Sequence, residues 1–250
     1  MYRLLIVIYF LISSAVFSEP IYHEKKYPSG NGPFSAVILL HSSGGFKSDY
    51  IMNYIGSDYL KNGFAIYAPD FFKRHGITSQ TRKKTWTTFR VPIEKELSEI
   101  VELVKKDKKI DPNNIFAVGF SNGGYWATYL AGKGLVNAAA SHFGVWNEYL
   151  GRGRTRCGSD DPADFLSPTS SPVLALHPKY DSVQRLECVE KGWDRARRNG
   201  FDKLEIHIYP ENDVTHAWHT ENRKKNYRYN QVVLNDSTER TDTFFRRFMK

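Results

Sequence analysis

A serine stands at the centre of the most constraining stretch of this chain. An apolar run at residues 115–118 leads directly into Gly119-Phe120-Ser121-Asn122-Gly123-Gly124, and small and aromatic residues follow at 125–131. A Gly-x-Ser-x-Gly pattern between a buried strand and a helix is typical of a tight, strained turn that exposes the serine hydroxyl at the carboxyl edge of a sheet. We therefore predict that Ser121 is a nucleophile on such a turn.

Apolar runs that fit buried strands alternate along the chain with segments of helical period. Strands are predicted at residues 35–40, 64–68, 115–118, 136–145, 172–177 and 204–209. Residues 111–114 read as a turn, and residues 69–90 as a long polar loop above the sheet. The alternation predicts an α/β class protein with a mostly parallel central sheet and helices on both faces. With the turn at Ser121, the pattern predicts the α/β-hydrolase fold.

Serine is a poor nucleophile unless a base removes its proton, so a histidine and a carboxylate are needed beside it. In this fold they follow the serine in the order acid, then histidine, on loops after later strands. Asp181 follows the predicted strand at 172–177, and His216 follows the strand at 204–209. We predict that Asp181 orients His216 and that His216 is the general base for Ser121.

Three other residues are alternatives for these two roles. His219 lies in the same loop as His216, but at a point where the chain is leaving the sheet edge. His177 ends a strand and is interpreted as a packed residue or one that contacts the site indirectly. Asp213 could replace Asp181, although it shares the histidine's own loop, which the usual order disfavours.

The turn after the first apolar strand is the candidate oxyanion site. It reads His41-Ser42-Ser43-Gly44-Gly45, and this fold places a second oxyanion donor at that point. The main-chain N–H groups of Ser43 and Asn122 would hold the negatively charged oxygen of a tetrahedral intermediate. A simple glycine-rich turn is the alternative interpretation.

The N-terminus has the order of a secretory signal: a basic start, an apolar run at residues 4–12, then small residues. Cleavage after Ser18, or alternatively after Ala15, predicts export to the periplasm or secretion. The apolar run is shorter than the roughly 20 residues that a membrane span needs, so an uncleaved anchor is the less favoured alternative. Residues 1–18 are thus predicted as a signal peptide and residues 19–250 as a single catalytic domain without a stable membrane span.

Cys157 and Cys188 are the only cysteines, and an oxidising compartment would allow them to form a disulfide. Two unrelated buried thiols are the alternative. The formal net charge is +8, but the basic residues are scattered. The sequence contains no zinc-finger, RNA-binding or helix-turn-helix pattern, so no nucleic-acid partner is expected.

These residues resemble the dienelactone hydrolase family of the α/β-hydrolases. Besides the turn at Ser121, the likeness rests on Tyr67-Ala68-Pro69-Asp70-Phe71-Phe72 and on the histidine loop with Thr215-His216-Ala217-Trp218. The resemblance implies Ser121, Asp181 and His216 as the catalytic triad. It also implies that the protein has neither a metal nor a cofactor.

Several features depart from the family's enzymes that open dienelactones. Ser121 stands where those enzymes have cysteine, Ser42 where they have glutamate, and Thr220 where they have an arginine that holds the substrate carboxylate. Dienelactone itself is therefore not expected as the substrate. The segment 146–171 is also longer than the family usually needs, and a bridge from Cys157 would pin it over the pocket.

The combined features predict a serine hydrolase that cleaves carboxylic esters of a small-molecule substrate through an acyl-enzyme. A thioesterase, a small-peptide hydrolase or an acyltransferase would use the same residues. A non-enzymatic binding protein on the same scaffold is the alternative from another class, because a fold alone does not guarantee chemistry.

Overall fold

The computed structural model describes residues 21–147, 157–158, 161–220 and 227–250, so the predicted signal peptide lies outside the described residues. Within that part of the chain, seven strands form one sheet in the order β1-β3-β2-β4-β5-β6-β7. The strands are β1 (His23–Lys26), β2 (Phe34–Leu40), β3 (Ala65–Pro69), β4 (Ile110–Phe120), β5 (Ala139–His142), β6 (Val173–Pro178) and β7 (Leu204–Tyr209). Every pairing is parallel except that of β1 with β3, which confirms the predicted sheet.

The sheet is buried on both faces because its central strands contain continuous apolar runs. In β2, Ala36, Ile38 and Leu40 belong to one hydrophobic core, whereas Val37 and Leu39 belong to a second core on the other face. Successive side chains of a strand point to opposite faces, so a continuous apolar run requires a layer on each side.

Helices supply both layers. They are α1 (Gly56–Lys61), α2 (Arg90–Lys106), α3 (Asn122–Gly132), α4 (Asp161–Asp164), α5 (Leu186–Arg198) and α6 (Gln231–Arg246). The buried side chains of α2, α3 and α5 join the first core, and those of α1 and α6 join the second. The predicted arrangement of helices on both faces is confirmed, and no helix of the described part is long and apolar enough to cross a bilayer.

One local prediction is wrong. Residues 111–114 are not a free turn, because β4 runs through them. The pairing of β2 with β4 passes from Phe34 opposite Ile110 to Ala36 opposite Ile115, so the extra residues form a bulge. The first helical segment after β2 begins as a π-helical turn, Asp49–Ile55, before it continues as α1.

A disulfide joins the two cysteines, as the sequence predicted. Cys157 Sγ and Cys188 Sγ are 2.07 Å apart, and the bond closes a sequence separation of 31 residues. Cys188 lies in the first turn of α5, the helix that follows the loop carrying Asp181. The disulfide therefore fastens the start of α5 to a distant stretch of the chain.

Candidate active site

Ser121 lies on a strained turn between β4 and α3. Its backbone has φ 52° and ψ −108°, a conformation that residues other than glycine rarely adopt. The turn is held from both sides: the Ser121 N–H donates to the carbonyl of His142 at 3.0 Å, and the Ser121 carbonyl accepts from Val145 N at 3.1 Å. Non-glycine backbone strain of this kind persists only where the surrounding structure enforces it, and it clusters at functional sites.

The glycines that flank this serine are required by close backbone contacts. A Cβ atom on Gly123 would lie 2.0 Å from the carbonyl oxygen of Leu40, and one on Gly119 would lie 1.9 Å from the carbonyl oxygen of Gly123. Neither distance is possible for a real side chain, so the strand and helix meet at this turn only if both residues are glycine. The close strand-to-helix crossing therefore explains both glycines.

Asp181 lies on the loop after β6, and its carboxylate makes three short hydrogen bonds. Oδ1 accepts from the main-chain N–H groups of Val183 and Gln184, each at 2.7 Å. Oδ2 accepts from His216 Nδ1 at 2.7 Å. Burial alone would raise the pKa of Asp181, but the charge and hydrogen bond of His216 outweigh it, so the pKa lies below its usual range. The group is therefore an ionised carboxylate at neutral pH.

His216 joins the acid to the serine. Because the ionised carboxylate of Asp181 can only accept, His216 Nδ1 carries a proton and Nε2 is left with its lone pair. That Nε2 atom lies 3.0 Å from Ser121 Oγ. The rings of Phe143 and Tyr227 flank the imidazole at centroid distances of 4.9 and 5.4 Å. The three predicted triad residues therefore form one continuous hydrogen-bonded chain.

The alternatives to these residues occupy other places. His219 stacks on Phe143 at 5.0 Å, and burial lowers its pKa to about 3. Its main-chain carbonyl accepts from the hydroxyl of Tyr50 at 2.8 Å. Asp213 is exposed in a turn. His177 contacts the acid loop, residues 179–185 between β6 and α5, rather than Ser121. The geometry thus favours His216 and Asp181 over each alternative.

The candidate oxyanion residues come together beside Ser121. The side-chain amide of Asn122 reaches Ser43 Oγ at 3.5 Å, although Ser43 is 79 residues away in the sequence. Asn122 is the first residue of α3, where a helix leaves its N–H groups without intrahelical acceptors. Within the described residues, neither the Ser43 N–H nor the Asn122 N–H donates to a main-chain carbonyl. In the described part of the chain, this arrangement is compatible with the oxyanion role expected for the two donors.

Buried side chains that sequence reasoning missed hold this oxyanion turn in place. His41 Nδ1 lies 2.9 Å from the Ser42 carbonyl, and the His41 ring stacks on Phe71 at 3.9 Å. Thr85, which is fully buried, accepts from the Asn122 amide at 3.2 Å. Thr85 belongs to the aperiodic stretch at residues 69–90, so no sequence pattern identified it.

The mostly parallel sheet and the strand–turn–helix at Ser121 are those of an α/β-hydrolase. Within that class, the sequence model of the dienelactone hydrolase family matches residues 23–249. The chain belongs to the dienelactone hydrolase family, a family of hydrolases, and the resemblance inferred from its motifs is confirmed. Comparison with curated protein sequences gives no match.

Solved structures of hydrolases share the fold at low sequence identity. A dienelactone hydrolase-like promiscuous phosphotriesterase from metagenomic libraries is similar with a TM-score of 0.70 and 17% identity, over 91% of this chain and 92% of that one. A sugar hydrolase from Lactococcus lactis is similar with a TM-score of 0.70 and 15% identity, over 92% and 95%. Est1E from Butyrivibrio proteoclasticus, solved with ferulic acid bound, is similar with a TM-score of 0.65 and 15% identity, over 91% and 95%.

Proposed function

We propose that this protein is an exported serine hydrolase that cleaves carboxylic esters of a small substrate by way of an acyl-enzyme. The observation that carries the proposal is the hydrogen-bonded chain from Ser121 Oγ through His216 to Asp181, with links of 3.0 and 2.7 Å. Such an arrangement activates a hydroxyl that is otherwise a weak nucleophile.

In the first half of the reaction, Ser121 Oγ attacks the carbonyl carbon of the ester while His216 Nε2 takes the hydroxyl proton. Asp181 keeps the Nδ1 proton in place and stabilises the imidazolium that forms. The carbonyl oxygen becomes negatively charged, and the N–H groups of Ser43 and Asn122 stabilise it. The imidazolium then protonates the leaving alkoxide, and an acyl group remains on Ser121.

In the second half, water takes the place of the alcohol. His216 removes a proton from the water, the hydroxide attacks the acyl carbon, and the same N–H groups again hold the oxyanion. Collapse of the intermediate returns the proton to Ser121 and releases the acid. No step requires a metal or a cofactor.

Two further observations support the remaining parts of the proposal. The single disulfide suits an oxidising compartment, which agrees with the signal peptide read from residues 1–18. Membership of the dienelactone hydrolase family supports a small substrate, whereas Thr220 and Ser42 argue against dienelactone itself. We place the catalytic machinery in a single domain at residues 19–250.

The direct test is the Ser121→Ala substitution, assayed on a panel of activated esters of increasing acyl length. Because the members of a triad act as a unit, turnover should fall by at least about 10³-fold. Ser29→Ala is the matched control, since it makes the same chemical change at an exposed position before β2, and it should retain the activity. Near-normal turnover by Ser121→Ala would refute the proposal.

A further inference from the structure

A buried histidine outside the predicted triad contacts the loop that carries Asp181. His177 is 1% exposed, and its Nε2 atom lies 2.7 Å from the main-chain carbonyl of Gln184. The same Nε2 atom is 3.7 Å from Oδ2 of Asp181, which is too long for a hydrogen bond. The imidazole therefore contacts the loop that carries the acid and not the reacting groups.

The protonation state of this imidazole follows from its surroundings. Burial lowers the pKa of His177, so the ring is neutral and carries one N–H group. A carbonyl oxygen can only accept, so that proton must lie on Nε2 and point at Gln184. The same Nε2–H group lies near the Asp181 carboxylate, with 3.7 Å between Nε2 and Oδ2.

The main chain of Gln184 is consequently held at both of its polar atoms. Its N–H donates to Asp181 Oδ1 at 2.7 Å, and its carbonyl accepts from His177 Nε2 at 2.7 Å. His177 is the penultimate residue of β6 and Gln184 lies just before α5, so these two bonds connect the acid loop to rigid elements at both ends. A shift of Gln184 would move the N–H that fixes Oδ1 and would rotate Oδ2 away from His216.

We propose that His177 is a positioning residue for the reaction: its Nε2–H holds the Gln184 peptide and thereby fixes the Asp181 carboxylate in the orientation that His216 requires. This inference rests on the proposed function, because it assigns a role in setting the triad. A merely structural imidazole would contribute to folding stability and would leave the Asp181–His216 bond unchanged.

The test uses two substitutions at the same site. His177→Phe keeps the ring volume beside Trp193, whose centroid is 6.0 Å away, and removes the donor. His177→Gln places an amide N–H near the position of the imidazole Nε2–H. We expect His177→Phe to lower kcat by about 10- to 100-fold with little change in KM, since small misplacements of catalytic groups have effects of this size. We expect His177→Gln to recover most of that loss.

A matched control separates positioning from stability. Asn114 is also a buried polar side chain that donates to a main-chain carbonyl, that of Lys250 at 3.0 Å, but it lies toward the opposite end of β4 from Ser121. Asn114→Leu should reduce thermal stability as much as His177→Phe while kcat stays close to that of the wild type.

The downfield proton resonance of the bond between His216 Nδ1 and Asp181 Oδ2 gives a readout that does not depend on turnover. It should weaken or shift in His177→Phe, return in His177→Gln and disappear in Asp181→Asn, which assigns it. Wild-type kcat with an unchanged resonance in His177→Phe would overturn the proposal, and so would a His177→Gln variant as impaired as His177→Phe. If Ser121→Ala kept its activity, the hydrolase function would fail separately, and the resonance would still test His177.

Discussion

The acid side of the site and its oxyanion side are built in opposite ways. On the acid side, every oxygen of the Asp181 carboxylate already has a hydrogen-bond partner, and the loop is closed by His177 and Gln184. On the oxyanion side, the main-chain N–H groups of Ser43 and Asn122 have no carbonyl partner in the described chain. Under the proposed function, the acid is fully hydrogen-bonded before substrate arrives, whereas the oxyanion donors bind only the charge that develops during the reaction.

The main chain is nevertheless held in the same way on both sides. A buried imidazole contacts a loop carbonyl in each case: His41 at the Ser42 carbonyl, 2.9 Å away, and His177 at the Gln184 carbonyl, 2.7 Å away. The two sides therefore differ in which polar groups have a hydrogen-bond partner in the described chain, and not in how their loops are supported. Preorganised donors of this kind cost little reorganisation during the reaction and contribute strongly to catalysis.

The largest effect is expected from the acid side, with Asp181→Asn. The amide can donate as well as accept, so it can hold the wrong tautomer of His216, and kcat should fall by about 10²- to 10⁴-fold. Asp213→Asn is the control, because it makes the same chemical change at an exposed position of the histidine loop. Steady-state kinetics on one activated ester would compare the two variants. Equal kcat values would contradict the contrast between the fully hydrogen-bonded acid side and the oxyanion side.

Removal of the disulfide tests how far the acid side depends on the anchoring of α5. The double substitution Cys157→Ser with Cys188→Ser should lower the free energy of unfolding by roughly 2 to 4 kcal/mol, as expected for opening a loop of this size. Urea unfolding of the variant and of the wild type would give the value. A loss of stability without any change in KM would show that the bridge supports the scaffold and does not shape the substrate pocket.

On the oxyanion side, Thr85→Val removes the acceptor that holds the Asn122 amide while keeping the shape of the side chain. The buried amide would keep only its 3.5 Å contact with Ser43 Oγ, and the lost hydrogen bond should cost about 1 to 3 kcal/mol of stability. Turnover should fall by about tenfold or less, because the main-chain donors stay in place. Thr87→Val, at an exposed position of the same loop, is the control and should change neither quantity. A loss in Thr85→Val as large as that in Asp181→Asn would contradict the contrast drawn between the two sides.

The smallest expected effect is on the pH dependence of the free energy of unfolding. The pKa of Asp181 in the folded protein lies below its ordinary value of 3.8, so the unfolded chain takes up the proton first as the pH falls. The stability contributed by the ionised carboxylate is therefore complete above that ordinary value and is lost progressively below it. As the pH falls from about 5 to about 3, the free energy of unfolding of the wild type should decrease relative to that of Asp181→Asn.

Much of this site could be predicted from the sequence because the chemistry follows the fold's connections. The serine lies between a buried strand and a helix, and the acid and the histidine follow later parallel strands. The carboxyl ends of these strands share one edge of the sheet, so the three side chains meet there. The supporting contacts could not be predicted. Thr85 lies in a stretch without any period, and its contact with Asn122 depends on how a loop folds over the sheet.

The edge strand β1 escaped prediction for a related reason. Its sequence, His23-Glu24-Lys25-Lys26, is short and charged, and it becomes a strand only because β3 offers it an antiparallel edge. The error at residues 111–114 has the same origin, since local turn signals there are overridden by pairing with β2. Tertiary pairing decides strand formation where the local sequence is neutral or opposed.

The central claim is that Ser121 is an activated nucleophile, and a fluorophosphonate probe tests it most directly. Such a probe forms a covalent adduct with an activated serine, and mass spectrometry of the digested protein locates it. The account predicts one adduct, on the peptide that contains Ser121, which is lost when His216 is replaced by alanine. An unlabelled wild-type protein, or an adduct on a different serine, would contradict it.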